Sequence, residues 1–228
     1  GDIWDESKMP TAQAEGVVNS DVAVKAFDEY LSYLQYMPPV SQTGQMDIFV
    51  IQDLFMQGKV GAIIDWVGLG EPVLDPSASK VHDKSAFGPA PGSRKNDGSI
   101  DRTGNIGGQP FVLTTWNEDE VVDEALNVVK WWLNSETQLE AVSNGGQSGL
   151  MSVMADPSYN GLRPWNRAHV EMIDWQKDVW HIPEFFELLT QQQEEFDKAI
   201  TGQISAKEAL DAVAEFQQEL LEEGDYIE

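Results

Sequence analysis

The chain has 228 residues, 41% of them apolar, with 39 acidic against 14 basic side chains, a formal charge of −25 and no cysteine. That composition supplies a core for one large domain or two small ones and lacks the low hydrophobicity of disordered chains. It excludes disulfide frameworks, thiolate metal sites and cysteine nucleophiles, and it opposes nucleic acid and anionic membranes, both of which attract basic surfaces. The acidic excess fits a solvated surface, and equally a saline medium in which screening weakens self-repulsion.

Residues 1–19 are polar and turn-rich and open Gly-Asp-Ile-Trp, with neither an initiator Met nor a basic, apolar leader. Asn19-Ser20-Asp21 reads as an N-cap. Val24, Phe27, Leu31 and Leu34 follow at helical spacing until Pro38-Pro39. Ile48, Ile51 and Phe55 mark a second helix closed by Gly58 at C′. The apolar run Val60-Gly-Ala-Ile-Ile64 predicts a buried strand that ends at Asp65-Trp66. Residues 86–92 read as extended, 93–104 as a polar loop, and 111–115 as a further strand.

Asn117-Glu-Asp-Glu120 starts a long helix, with acids where the dipole favours them. Val121, Ala125, Val128, Val129, Trp132 and Leu133 mark its expected buried face. Ser135 opens the next helix, which Gly145-Gly146 ends, and residues 145–166 read as loop. Val170, Ile173 and Trp180 are assigned to one helix, and Pro183 to the N1 position of another. Ser205-Ala-Lys-Glu208 is a capping box before Leu210, Val213, Phe216 and Leu220.

Catalytic signatures are scarce. Gly58-Lys59 is followed by Val60 and lacks the upstream glycine of a phosphate loop. Gly146-Gln-Ser148-Gly149 lacks the second glycine of a nucleophile elbow, because Leu150 stands there. His82, His169 and His181 have no metal-ligand spacing. No catalytic residue, metal or cofactor is therefore assigned. Carboxylate pairs abound, so a glycosidase-like pair means nothing without geometry.

Eight tryptophans stand out, because flat aromatic faces suit the apolar C–H faces of carbohydrate rings. Trp131 and Trp132 sit mid-helix, where core packing is the simpler role, whereas Trp66 falls at a predicted strand end, where side chains often face a cleft. The adjacent Gly107 and Gly108 precede an apolar run, and such a pair marks close approach by another backbone or a ligand.

The segment Phe55-Met-Gln-Gly58-Lys-Val-Gly-Ala-Ile-Ile-Asp-Trp66 resembles a segment of the extracellular solute-binding proteins of sugar ABC transporters, the group that includes maltose-binding protein. Matches continue in order through Asp75-Pro76-Ser77, Phe87-Gly88-Pro89, Gly107-Gly108, the helix from Ala125 to Gln138, Asp156-Pro157 and the stretch from Gly202 to Leu210. Each piece is weak alone; the ordered set spans essentially the whole chain.

The resemblance implies an α/β, helix-rich periplasmic-binding-protein type II fold, incomplete, with short strands flanked by helices. It implies that residues 1–105 and 160–228 form the second lobe, and that 110–155 pack on a first lobe largely missing here, the amino-terminal part of the same protein. It implies a periplasmic or extracellular protein, lipid-anchored or free, that carries a sugar or polyol to permease subunits without chemistry. Trp66 resembles the family's stacking aromatic. Gly107 and Gly108, with Gln109 beside them, resemble the glycine pair at the interlobe crossover, where they line the ligand or serve as a hinge. Asp65 is a hydroxyl acceptor or a helix cap.

The sequence also departs from the pattern. Leu189 stands where maltose-binding relatives carry a second aromatic, with Trp180 as the candidate substitute, and Leu150 and Met151 stand where an arginine is common. The rival readings are a hydrolase using two carboxylates and a structural helical interaction domain.

Overall fold

The computed structural model describes residues 13–108 and 110–226, so Gln109 and the first twelve residues of the polar amino-terminal stretch lie outside the described residues. The helices in chain order are α1 (Asp21–Ser32), α2 (Ile48–Met56), α3 (Gly70–Leu74), α4 (Asp119–Trp132), α5 (Ser135–Ser143), α6 (Met151–Met154), α7 (Tyr159–Leu162), α8 (Asn166–Met172), α9 (Phe185–Ile200) and α10 (Ala206–Glu223). The strands are two residues each: β1 (Ser93–Arg94), β2 (Ile100–Asp101), β3 (Gly104–Asn105) and β4 (Gln176–Lys177). The chain divides into two compact units, one of Gly1–Val50 with Trp180–Glu228 and one of Ile51–Val179.

The first unit is built on the helical hairpin of α9 and α10. Ser205 accepts from the Glu208 N–H while the Glu208 carboxylate accepts from the Ser205 N–H, which completes the capping box. From that start α10 buries Ala206, Ala209, Leu210, Val213, Ala214, Gln217, Leu220 and Leu221. Two apolar clusters result. Leu188, Leu220 and Leu221 gather around Ala14, and Phe27 of α1 packs with Ala199, Ala209 and Leu210. Helix α1 starts where Ser20 accepts from the Ala23 N–H, and its Phe27 ring lies 4.4 Å from that of Phe196.

Apart from α4, the second unit is built of short elements. Val142, Val153 and Tyr159 form its cluster, joining α5, α6 and α7. Gly58, at φ +70°, ends α2 through N–H bonds from Gly58 to Phe55 and from Lys59 to Leu54. Gly145, at φ +95°, plays the same part after α5. β1 and β2 pair antiparallel, while β3 runs parallel to β4 with Gly104 opposite Gln176.

Several local expectations are corrected. Residues 60–64 are not a buried strand; no described strand pairs with them, and Ile64 is 70% exposed. Residues 111–115 likewise form no strand, and Phe111 and Val112 are exposed. A strand exists only through a neighbour that takes up its N–H and C=O groups. The expected polar loop at 93–104 contains the β1–β2 hairpin, and 145–166 contains α6 and α7. Helix α8 ends at Met172, so Trp180 lies outside it; α9 begins at Phe185, past Pro183. Helix α4 forms as expected but buries none of its residues.

Candidate functional site

The geometry around Trp66 is set by the turn on its carboxyl side. Trp66 precedes a single 3-10 turn, Val67–Leu69, which runs directly into α3. Gly70 sits flush against the buried ring of Trp165: a Cβ there would lie 2.5 Å from its Cε3. Phe87 meets Trp165 edge-on at 5.3 Å, and the Arg163 guanidinium lies 5.9 Å from the same ring. Arg163 also pairs with Glu71 of α3 at 2.7 Å. The Gln147 side chain fills the space beside Gly68, and the Gln52 amide donates to the Leu69 carbonyl at 2.8 Å. The turn after Trp66 is thus clamped from several sides, while the indole itself is 60% exposed.

Asp65 turns inward. Its Oδ1 accepts from the Trp66 N–H at 2.8 Å, and its Oδ2 is buried without a partner among the described residues. Burial raises the carboxyl pKa, opposed by the Trp66 N–H bond. Of the two roles expected for Asp65, the helix cap is not what forms, since the 3-10 turn beyond Trp66 has no side-chain cap bond.

The glycine pair is held by the parallel strands. The Ile106 N–H extends the β3–β4 pairing by donating to the Lys177 carbonyl at 2.9 Å, and Gly107 and Gly108 leave the end of that pairing exposed. The Cβ position of Gly107 lies 3.8 Å from Cε2 of Trp66, an ordinary van der Waals distance. The Cβ position of Gly108 has nothing described within 4 Å, and neither glycine has a positive φ.

Maltose-bound MalE3 of T. maritima matches 97% of this chain and 54% of its own at a TM-score of 0.77 and 18% identity. An ABC transporter solute-binding protein from Agrobacterium radiobacter K84, in complex with ribitol, matches 96% and 53% at 0.73 and 19%. The fold is that of the ABC-transporter solute-binding proteins. The chain spans about half the length of these solved structures. Neither a protein-family model nor a curated protein sequence matches it.

The structure therefore brings Asp65, Trp66 and Gly107 together in the second unit. Trp180 belongs to the first unit, where it is half-buried against the Leu188–Leu220–Leu221 cluster and meets Phe185 edge-on at 6.3 Å. Sequence reasoning missed Trp165, Arg163 and Gln147. The available signal was the spacing in Trp66-Val-Gly68-Leu-Gly70, where two glycines just past an exposed aromatic invite close packing from elsewhere. No group of three or more potential metal-ligating side chains occurs among the described residues.

Proposed function

We propose that this chain is the larger part of one lobe, with its crossover segment, of a solute-binding protein. In this reading the protein captures a neutral sugar or polyol, catalyses no reaction on it, and hands it to ABC permease subunits from the periplasm or cell surface. No described helix is long and apolar enough to cross a membrane. The carrying observation is the exposed Trp66 indole, fixed at its base and edged by Gly107. An indole held this way offers a pre-organised apolar face to the C–H side of a sugar. Among the described residues neither φ nor crowding requires glycine at 107 or 108; in this reading the pair admits close approach by a ligand, with backbone N–H groups meeting hydroxyls, beside the hinge role the resemblance also implies. That the solved neighbours hold maltose and ribitol supports the same ligand class.

The test is calorimetry of the protein against maltose, ribitol and a panel of related sugars, followed by analysis of the recovered ligand. Binding with intact ligand is expected; hydrolysed product would overturn the transport reading. Trp66→Ala is expected to weaken binding by about 1–3 kcal/mol, the range for burying one large apolar side chain, with little change in melting temperature because the ring is exposed. Gly108→Val is expected to weaken binding in the same direction. A large fall in melting temperature with unchanged affinity would remove Trp66 from the site.

A further inference from the structure

The hairpin of α9 and α10 carries an open groove built wholly within the first unit. Its volume is about 510 Å³, and it is lined by Phe186, Glu187, Thr190, Gln191 and Glu194 of α9 and by Phe216 of α10. Positions 187, 190, 191 and 194 repeat at three and four residues, so they share one stripe of α9, with Phe186 at its start. From Phe186 to Glu194 the stripe runs about 12 Å at the helical rise. Phe216 is packed against the Leu188–Leu220–Leu221 cluster and fixes one wall. Phe186 is 75% exposed and meets the Phe185 ring edge-on at 5.2 Å, so a bare aromatic face stands at the groove's end.

The polar groups of the groove select its occupant. No described ion pair involves Glu187 or Glu194; the nearby lysines Lys198 and Lys207 are committed to Glu195 and Asp211. The Thr190 hydroxyl donates to the Phe186 carbonyl at 2.7 Å. The Gln191 amide donates to the Ala212 carbonyl at 3.4 Å, and its buried Oε1 has no donor among the described residues. The groove therefore offers two carboxylates and an unmet amide acceptor beside two phenyl rings, which calls for a cationic donor with an apolar or planar body. A second copy of this chain, at −25, or an anionic lipid surface would meet like charge. A lysine brings a point charge, whereas a guanidinium stacks on an aromatic face while its fork of N–H groups meets a carboxylate. The groove is open and elongated, which suits an extended segment more than an enclosed small molecule. We propose that the α9–α10 groove is a docking surface for a polypeptide partner that lays an arginine over Phe186 and between Glu187 and Glu194, with apolar neighbours against Phe216. This inference rests on the hairpin and not on the solute reading, so it survives or fails whether or not a sugar binds.

The test is fluorescence anisotropy of the protein with a labelled peptide that carries an arginine between leucines, at low salt. Saturable binding is expected, and the citrulline counterpart, which keeps the shape and loses the charge, is expected to bind about tenfold more weakly. Phe186→Ser, and separately Glu187→Gln combined with Glu194→Gln, are each expected to weaken the arginine peptide about tenfold. The melting temperature is expected to hold in both variants, because all three side chains are exposed. Asp28→Asn combined with Asp123→Asn removes the same charge from exposed positions outside the groove and is expected to change binding by less than about twofold. No saturable binding, equal binding of the citrulline peptide, or equal losses from the two charge pairs would each overturn the proposal. Free argininamide binding as tightly as the peptide would mark a site for small cations and overturn polypeptide docking.

Discussion

Helices α10 and α4 are written in the same sequence idiom and have opposite fates. Both place apolar residues at helical spacing, and both carry acids in the first turn. Helix α10 buries eight of its side chains against α9 and α1, whereas α4 buries none. The period of an amphipathic helix says which side is apolar; it does not say what lies against that side. The most direct way to break this comparison is truncation on each helix. Leu221→Ala, at a fully buried position, is expected to cost about 2–5 kcal/mol. Trp131→Ala, at a ring 61% exposed, is expected to change stability by less than about 0.5 kcal/mol. Urea denaturation of both variants measures this; equal losses would mean that α4 is packed as firmly as α10.

A second contrast lies within the second unit, between exposed α4 and the tight contact under Trp66. Gly70→Val would push a side chain into the Trp165 ring, which is 2% exposed and held by Phe87. It is expected to cost about 1–3 kcal/mol, the range for overpacking. Unchanged stability in urea would show that the ring moves freely and does not brace the Trp66 turn.

The helix starts sharpen the comparison further. Ser205→Ala removes the cap of α10 and is expected to cost about 1 kcal/mol. The N-cap residue of α4, Glu118, makes no side-chain cap bond, so Glu118→Ser is expected to gain about 0.5 kcal/mol, the low end of the range for caps. Helicity by circular dichroism, with urea midpoints, separates these outcomes. A loss at Ser205 no larger than the change at Glu118 would mean that capping does not contribute to the difference between the two helices.

What was legible in the sequence is what is local. Ser20, Gly58, Gly145 and Ser205 each act through bonds to residues within four or five positions, and the helices they bound fall where the pattern puts them. What was not legible depends on distant partners. The apolar run 60–64 looked like a strand because its residues favour one, but pairing decides, and no described strand pairs with it. Trp180 fitted a helical period that the chain abandons after Met172. At the site, Trp66 and the glycines were visible as residue types. That Gly107 lies against the Trp66 indole, and that Trp165 rests on Gly70, are tertiary facts carried by no local spacing.

The smallest expected effect concerns acid, and it belongs to the unit with fewer buried groups to spare. Tyr159 is fully buried, and its hydroxyl lies 3.0 Å from Nδ1 of His169. Burial lowers the His169 pKa and raises that of Tyr159, so around neutrality both are uncharged. In the unfolded chain His169 takes up a proton in the ordinary histidine range, while the folded state resists until lower pH. Between those two values the unfolded state binds more protons, so stability rises with pH across the window. The contribution is complete above the ordinary histidine pKa and is lost as pH falls through the window to the folded-state value. His169→Gln removes the titration, and carboxylate protonation is common to both proteins, so the difference between their melting temperatures isolates the effect. On acidification from neutral pH the melting temperature of the native protein is expected to fall slightly more than that of the variant, in the direction set by the lowered His169 pKa. Parallel decline of the two curves would show that His169 titrates alike in both states, and that the Tyr159–His169 contact does not hold the ring neutral.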